Sequence, residues 1–173
     1  MKELQKLWSQ AQVKLKNSLI ILISLLILVV SSGCSIYPIV KDIFKEPEFE
    51  RSLVTKVIDG DTIELEDGRR VRYLGINTPE LGEFYGKEAT NKNQELVEGK
   101  IVELQKGNRD TDEYGRFLRY VYIDGIFVNA ELVSQGYAEA YIFDANERYS
   151  QVLVQLEQYA KLKRRGMWAD NKE

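Results

Sequence analysis

The 173-residue chain contains no histidine, a single cysteine and only three prolines. Without histidine there is no imidazole base, no Ser-His-Asp triad and no imidazole-ligated metal. One thiol permits neither an internal disulfide nor a thiolate zinc site. Any catalysis must therefore run on carboxylates, arginines and tyrosines, with or without a hard, oxygen-loving cation. Long apolar runs are also scarce. The longest, LIILISLLILVV at residues 19–30, would span roughly 18 Å as a helix, against roughly 30 Å of bilayer hydrocarbon.

That run follows Lys2, Lys6, Lys14 and Lys16, opposed only by Glu3, which is the layout of a signal peptide with a basic start and a short apolar core. Directly after it, VSSGCS places small residues before Cys34. This resembles the bacterial lipoprotein signal, in which the cysteine is lipidated and becomes the new N-terminus, although Ser31 stands where an apolar residue is more usual. The expectation is a signal peptide at 1–33, lipidation at Cys34, a tether at 34–50, a domain at 51–169 and a short tail at 170–173. The resulting location is the outer side of the cytoplasmic membrane. An uncleaved N-terminal anchor with an incidental cysteine is the alternative, and it gives the same location.

Setting residues 1–33 aside removes four of 24 basic and one of 27 acidic residues, leaving 20 against 26 and a net charge near −6. Such a domain repels polyanions on average, so nucleic acid would have to be held by a local basic patch.

Asp-Gly occurs three times, at Asp59-Gly60, Asp67-Gly68 and Asp124-Gly125, but only the first is followed by another aspartate. A tight turn needs one such residue. Asp61 is surplus to turn chemistry, and two carboxylates this close repel unless a cation or proton lies between them.

Strand signals dominate the domain. RSLVTKVI (51–58) is β-branched and apolar, and TIELE alternates with Ile63 and Leu65 on one face. RRVRYLGI (69–76) sets Val71 and Tyr73 opposite Arg70 and Arg72. Asp67-Gly68 joins the last two as a hairpin. A helix fits residues 86–98, ended by Gly99. KIVELQ reads as a fourth strand, KGNRDTDEYG (106–115) as a polar loop and RFLRYVYI as a fifth strand. A short helix at 129–135 and a last helix at 145–165 follow, the latter with Tyr149, Val152, Leu153, Leu156, Tyr159 and Ala160 along one stripe. This order predicts a mixed α+β fold: a five-stranded Greek-key barrel of the OB type with about three helices.

Two more stretches bear on chemistry. In YLGINTPE (73–80), Asn77 and the carbonyl of Thr78 offer oxygen ligands, Pro79 fixes the turn and Glu80 presents a carboxylate. In YGRFL (114–118), Gly115 bends the backbone before Arg116. The ordered set IDGDT, an arginine on the third strand, NTPE, YGR and a terminal GMW resembles the staphylococcal nuclease (thermonuclease) family over about residues 51–169.

The resemblance implies a calcium-dependent endonuclease that cuts DNA, with RNA also a substrate, and leaves 3′-phosphates. Asp61 matches a direct calcium ligand, Thr78 a carbonyl ligand and Asp59 a carboxylate acting through water. Arg72 and Arg116 match the phosphate-gripping arginines, Glu80 the proposed general base, and Tyr141 a tyrosine beside the nucleotide. Phe143 replaces a second tyrosine. Asn77 stands where well-known members carry a ligating aspartate, which predicts a weaker calcium site. Single strands should be favoured because their bases are free to stack, and a monomer is expected. The competing expectation is a non-catalytic OB module that binds nucleic acid or protein at the cell surface.

Overall fold

The computed structural model describes residues 48–143 and 148–169. The expected signal peptide, Cys34, most of the tether, the tail and the expected start of the last helix lie outside the described residues. Among those described, no helix is long and apolar enough to cross a membrane.

Eight strands and three helices follow in the order β1 (Phe49–Val57), β2 (Thr62–Leu65), β3 (Arg70–Tyr73), β4 (Ile76–Asn77), α1 (Gly86–Val97), β5 (Ile101–Thr111), β6 (Phe117–Ile123), β7 (Ile126–Phe127), α2 (Val128–Ser134), β8 (Glu139–Ala140) and α3 (Ser150–Leu162), with a 3₁₀ turn at Gly166–Trp168. The main sheet runs β3-β2-β1-β5-β6-β7, and β3 also pairs with β6 in parallel, with Val71 opposite Phe117 and Tyr73 opposite Arg119. That pairing closes five strands into the expected OB barrel and removes its open edges.

The alternation read from sequence is what fills the barrel. Val54, Ile63, Val71, Val102 and Val121 are fully buried, and Leu65, Tyr73 and Leu104 nearly so. On β3 the partners of this alternation, Arg70 and Arg72, point outward. α1 buries Ala89, Asn93 and Val97, and Gly99 leaves it at φ 72°. Asn129 on α2 is buried and ties β6 to the residue that follows β3. Its Oδ1 accepts from the Val121 amide at 2.9 Å, and its Nδ2 donates to the Leu74 carbonyl at 2.8 Å.

Three differences from expectation have physical causes. The polar stretch 106–111 continues β5 instead of forming a loop, because its ends, Lys106 and Thr111, still pair with β6 on either side of a bulge while most of its side chains face solvent. β4 and β8 form a two-stranded ribbon, Ile76 opposite Ala140 and Asn77 opposite Glu139, too short to register as a pattern. Val152 is exposed, because α3 packs through the narrower face of Ser150, Leu153 and Ala160.

Candidate active site

The first Asp-Gly pair differs in kind from the other two. Gly68 and Gly125 take φ of 82° and 77°, the left-handed conformation a hairpin turn asks of glycine, whereas Gly60 does not. What constrains Gly60 is proximity: a Cβ there would lie 2.6 to 2.8 Å from the Oγ1, Cβ and Cγ2 of Thr78. Gly86 does similar work one segment on, since a Cβ at that position would overlap the Glu80 carbonyl. Two glycines thus seat the 77–80 loop, one against the 59–61 turn and the other against the start of α1.

Asp61 lies at the centre of that junction and is 4 % exposed. Its Oδ2 accepts from the Thr78 amide at 2.8 Å and the Thr78 hydroxyl at 3.1 Å. Its Oδ1 accepts from the Thr62 hydroxyl at 3.2 Å and forms an ion pair with Arg72 Nε at 3.1 Å. Asp59 folds its own turn, Oδ1 accepting from the Asp61 amide at 3.0 Å. From behind, Asn93 of α1 fixes the same turn, its Nδ2 donating to the Asp59 carbonyl at 3.1 Å while its Oδ1 accepts from the buried Tyr73 hydroxyl at 2.9 Å.

Burial pushes the Asp61 carboxyl up to about 6; Arg72 opposes the rise and Asp59 adds to it. One guanidinium does not fully compensate the two carboxylates. The neighbouring donors, the Asn77 amide oxygen and the Thr78 carbonyl, are oxygens as well, so the set suits a hard cation such as Ca²⁺. It is sparsely charged. Among the described residues no three acidic, cysteine or histidine side chains gather closely enough to form a metal cluster.

Arg72 connects this junction to a cleft. Besides its Nε contact to Asp61, Nη1 donates to the carbonyls of Tyr73 (2.7 Å) and Ile76 (2.8 Å), and Nη2 to Asn77 Oδ1 (3.0 Å). Four of its five hydrogens are committed, so it offers a phosphate one hydrogen, or two if the exposed Asn77 turns away. Arg116 is held differently. Asp112 accepts Arg116 Nε at 2.7 Å on Oδ2, and the amides of Tyr114 and Arg116 on Oδ1 at 3.0 and 2.9 Å. The Asp112 carboxyl stays below the usual range: burial works against its charge, and the bonds from Arg116 outweigh it. Both terminal nitrogens of Arg116 remain uncommitted among the described residues.

Arg72 and Arg116 line one cleft of about 420 Å³ together with Tyr114, Tyr141 and Phe143. The β4–β8 ribbon brings Tyr141 there, its amide donating to the Gly75 carbonyl at 2.9 Å. The structure therefore gathers Asp59, Asp61, Arg72, Asn77 and Thr78 into one hydrogen-bonded unit, and sets Arg72, Arg116 and Tyr141 around one cleft. Glu80 is exposed beside the loop. Its amide donates to Glu83 Oε2 at 3.0 Å, and among the described residues its own carboxylate has no hydrogen-bond partner. Sequence reasoning passed over Asp112, which pins Arg116, and Tyr114, whose ring lies 5.4 Å from the Arg116 guanidinium. The signal for both was their position inside and just before YGR.

A closed five-stranded barrel presents two arginines, Arg72 from β3 and Arg116 from the turn before β6, at one cleft, with Arg72 paired to the buried Asp61. The family described as Staphylococcal nuclease homologue matches residues 70–170, and the chain belongs to that family. It is 39 % identical over 128 residues to the SPbeta prophage-derived endonuclease YokF of Bacillus subtilis, covering 67 % of this chain and 43 % of that one. It is 40 % identical over 126 residues to endonuclease YncB of Bacillus subtilis, covering 66 % and 59 %. A thermonuclease of Staphylococcus intermedius is 34 % identical over 128 residues, covering 69 % and 76 %. The chain thus spans less than two thirds of the first two relatives' length.

Proposed function

We propose that this chain is an extracytoplasmic, calcium-dependent endonuclease that hydrolyses single-stranded DNA, and RNA as well, leaving 3′-phosphates. The observation that carries this is the convergence of Arg72 and Arg116 on one cleft, with Arg72 also bonded to the Asp61 and Asn77 oxygens.

In this mechanism Arg116 grips the scissile phosphate with its free terminal nitrogens while Asp112 keeps its plane fixed. Arg72 adds its uncommitted Nη2 hydrogen. Donors already aimed at the phosphorane oxygens need no rearrangement as charge develops there, and one such donor is worth about 2.7–4 kcal/mol. Glu80, exposed and without a side-chain partner among the described residues, accepts a proton from the attacking water, a role worth roughly 10²- to 10⁴-fold. The water oxygen bonds to phosphorus as Glu80 takes its proton, the bond to the 5′ oxygen breaks, and the departing 5′ alkoxide takes a proton from solvent. Tyr141 stacks on a base, which requires no particular sequence. Asp61, Asn77 and the Thr78 carbonyl would hold Ca²⁺, with Asp59 acting through water; when bound, the ion supplies Lewis-acid polarisation of the phosphate.

The second reading, a non-catalytic OB module, is favoured by the sparsely charged donor set. Cleavage assays on labelled single-stranded DNA, with Ca²⁺ or with chelator, separate the two. The nuclease reading expects calcium-dependent cleavage that drops at least about 10²-fold in Glu80→Gln with DNA binding intact. Binding without cleavage at any calcium concentration would establish the module. We also propose that lipidated Cys34 tethers the domain, as a monomer, outside the cytoplasmic membrane. Accumulation of an unprocessed precursor under globomycin is the expected result; normal processing would refute it.

A further inference from the structure

The cleft holds a third guanidinium that the mechanism above does not use. Arg109 lies in an irregular part of β5: Lys106 stands opposite Arg119 and Thr111 opposite Phe117, so four residues of β5, 107–110, face only Leu118 on β6. Bulges of this sort re-aim side chains beside active sites. Here the bulge divides two neighbours. Asp110 turns to Lys106 (3.2 Å) and Arg119 (2.8 Å), whereas Arg109 lines the same cleft as Arg72 and Arg116.

Arg109 differs from the other two arginines in its partners. Arg72 is paired with Asp61 and Arg116 with Asp112, but Arg109 has no ion pair among the described residues. Its guanidinium lies 5.6 Å from the centroid of the Phe143 ring, which is 76 % exposed. An arginine with no ion pair among the described residues, lying over an exposed aromatic in a cleft that three arginines, Asp112 and Glu113 line, offers both contacts that track a flexible strand: charge for a phosphate and a flat face for a base. On a domain of net negative charge, a free arginine at this position matters more than it would on a basic one.

We infer that Arg109 and Phe143 form an outlying subsite for single-stranded polynucleotide, Arg109 binding a phosphate adjacent to the scissile one and Phe143 stacking on the attached base. This subsite rests on the nuclease reading for the identity of the scissile phosphate, but its own contacts are binding contacts. It makes affinity depend on strand length. A dinucleotide with a single phosphate does not reach it, whereas a longer strand does.

The test uses the full chain in chelator, where cleavage is not expected, with fluorescein-labelled oligothymidylate followed by anisotropy over a range of salt concentrations. Arg109→Ala is expected to weaken binding roughly five- to tenfold and to reduce the magnitude of the log K against log salt slope by about 0.7, the value for one phosphate on a single strand. Arg109→Lys should keep the slope, since its charge remains. Phe143→Ala should weaken binding roughly fivefold or more with no change in slope. With Ca²⁺ restored, Arg109→Ala should raise KM on the oligomer while leaving cleavage of the dinucleotide TpT unchanged. Arg109 is exposed, so its variants should melt like wild type. An unchanged slope and affinity in Arg109→Ala would overturn the subsite, as would an equal loss on TpT. If the wild type binds but never cleaves, while Arg109→Ala still lowers the slope, the nuclease reading falls and the subsite stands.

Discussion

Replacing Gly60 with alanine tests how the site is assembled. At an ordinary negative φ, Gly→Ala stabilises a protein by about 0.4–1 kcal/mol by restricting the unfolded chain. Here the new Cβ would lie 2.6 Å from Thr78 Oγ1, 2.7 Å from its Cβ and 2.8 Å from its Cγ2. A rotamer change moves Oγ1 and Cγ2 but not the Thr78 Cβ. The 77–80 backbone must therefore shift by roughly 1 Å, and overpacking of this kind costs about 1–3 kcal/mol. The net expectation is a destabilisation of about 1–2 kcal/mol. Because the same backbone carries Thr78 and Glu80, kcat/KM on single-stranded DNA should fall about 10²-fold. Gly68→Ala is the matched control. Nothing lies within 4 Å of its added Cβ, but its φ of 82° is strained for alanine, so it should lose roughly 1–2 kcal/mol with activity intact. Urea unfolding and initial-rate assays on both variants decide the matter. A Gly60→Ala protein as stable and as active as wild type would refute the close-approach account.

Other variants probe the neighbouring contacts. Asp112→Asn keeps an oxygen for the Tyr114 and Arg116 amides but loses the ion pair; Asp112→Ala loses both. Activity should fall in the order wild type, Asn, Ala, and kinetics showing equal loss in both would contradict the pinning role. Asn93→Ala leaves the buried Tyr73 hydroxyl and the Asp59 carbonyl without their partner and should cost about 1–3 kcal/mol. Adding Tyr73→Phe should recover part of that in a double-mutant cycle, and strict additivity would count against the network. Asn77→Asp should tighten calcium binding in calorimetry by restoring a full negative charge; equal or weaker affinity would show that the Arg72 contact governs position 77. In chelator, Asp61 should contribute a stability loss as pH rises from about 4 to about 6. Its folded carboxyl is pushed up to about 6, so the native state holds its proton longer than the unfolded chain, and ionisation costs on the order of 2–3 kcal/mol. Urea melts of wild type and Asp61→Asn across that range should diverge, and parallel curves would refute the assignment.

The barrel could be read from the sequence because its strands alternate: Ile63 and Leu65, and Val71 and Tyr73, each fill one face, and the Asp67-Gly68 turn fixes how they pair. The ordered motifs singled out Asp61, Arg72, Thr78 and Arg116 through the family resemblance, and the structure sets Asp61 just before β2, Arg72 within β3, Thr78 just after β4 and Arg116 just before β6. Other features carry no local period. The β4–β8 ribbon joins residues more than sixty positions apart through two residues on each side. The role of Gly60 is a contact with Thr78, which its own turn does not announce. Arg109 stood inside a stretch so polar that it read as a loop, and only the pairing of β5 with β6 shows that it lies on a bulged strand end aimed at the cleft.

The central claim is that Arg72 and Arg116 clasp one backbone phosphate beside the Asp61 junction. The most direct measurement is a crystal structure of the chain with Ca²⁺ and a non-hydrolysable single-stranded oligonucleotide. The account predicts a phosphate bonded to the terminal nitrogens of both arginines, with the ion touching Asp61 and the Thr78 carbonyl. A strand bound on another face of the barrel, with Arg72 still held only by Asp61, Asn77 and its backbone carbonyls and Arg116 only by Asp112, would contradict it.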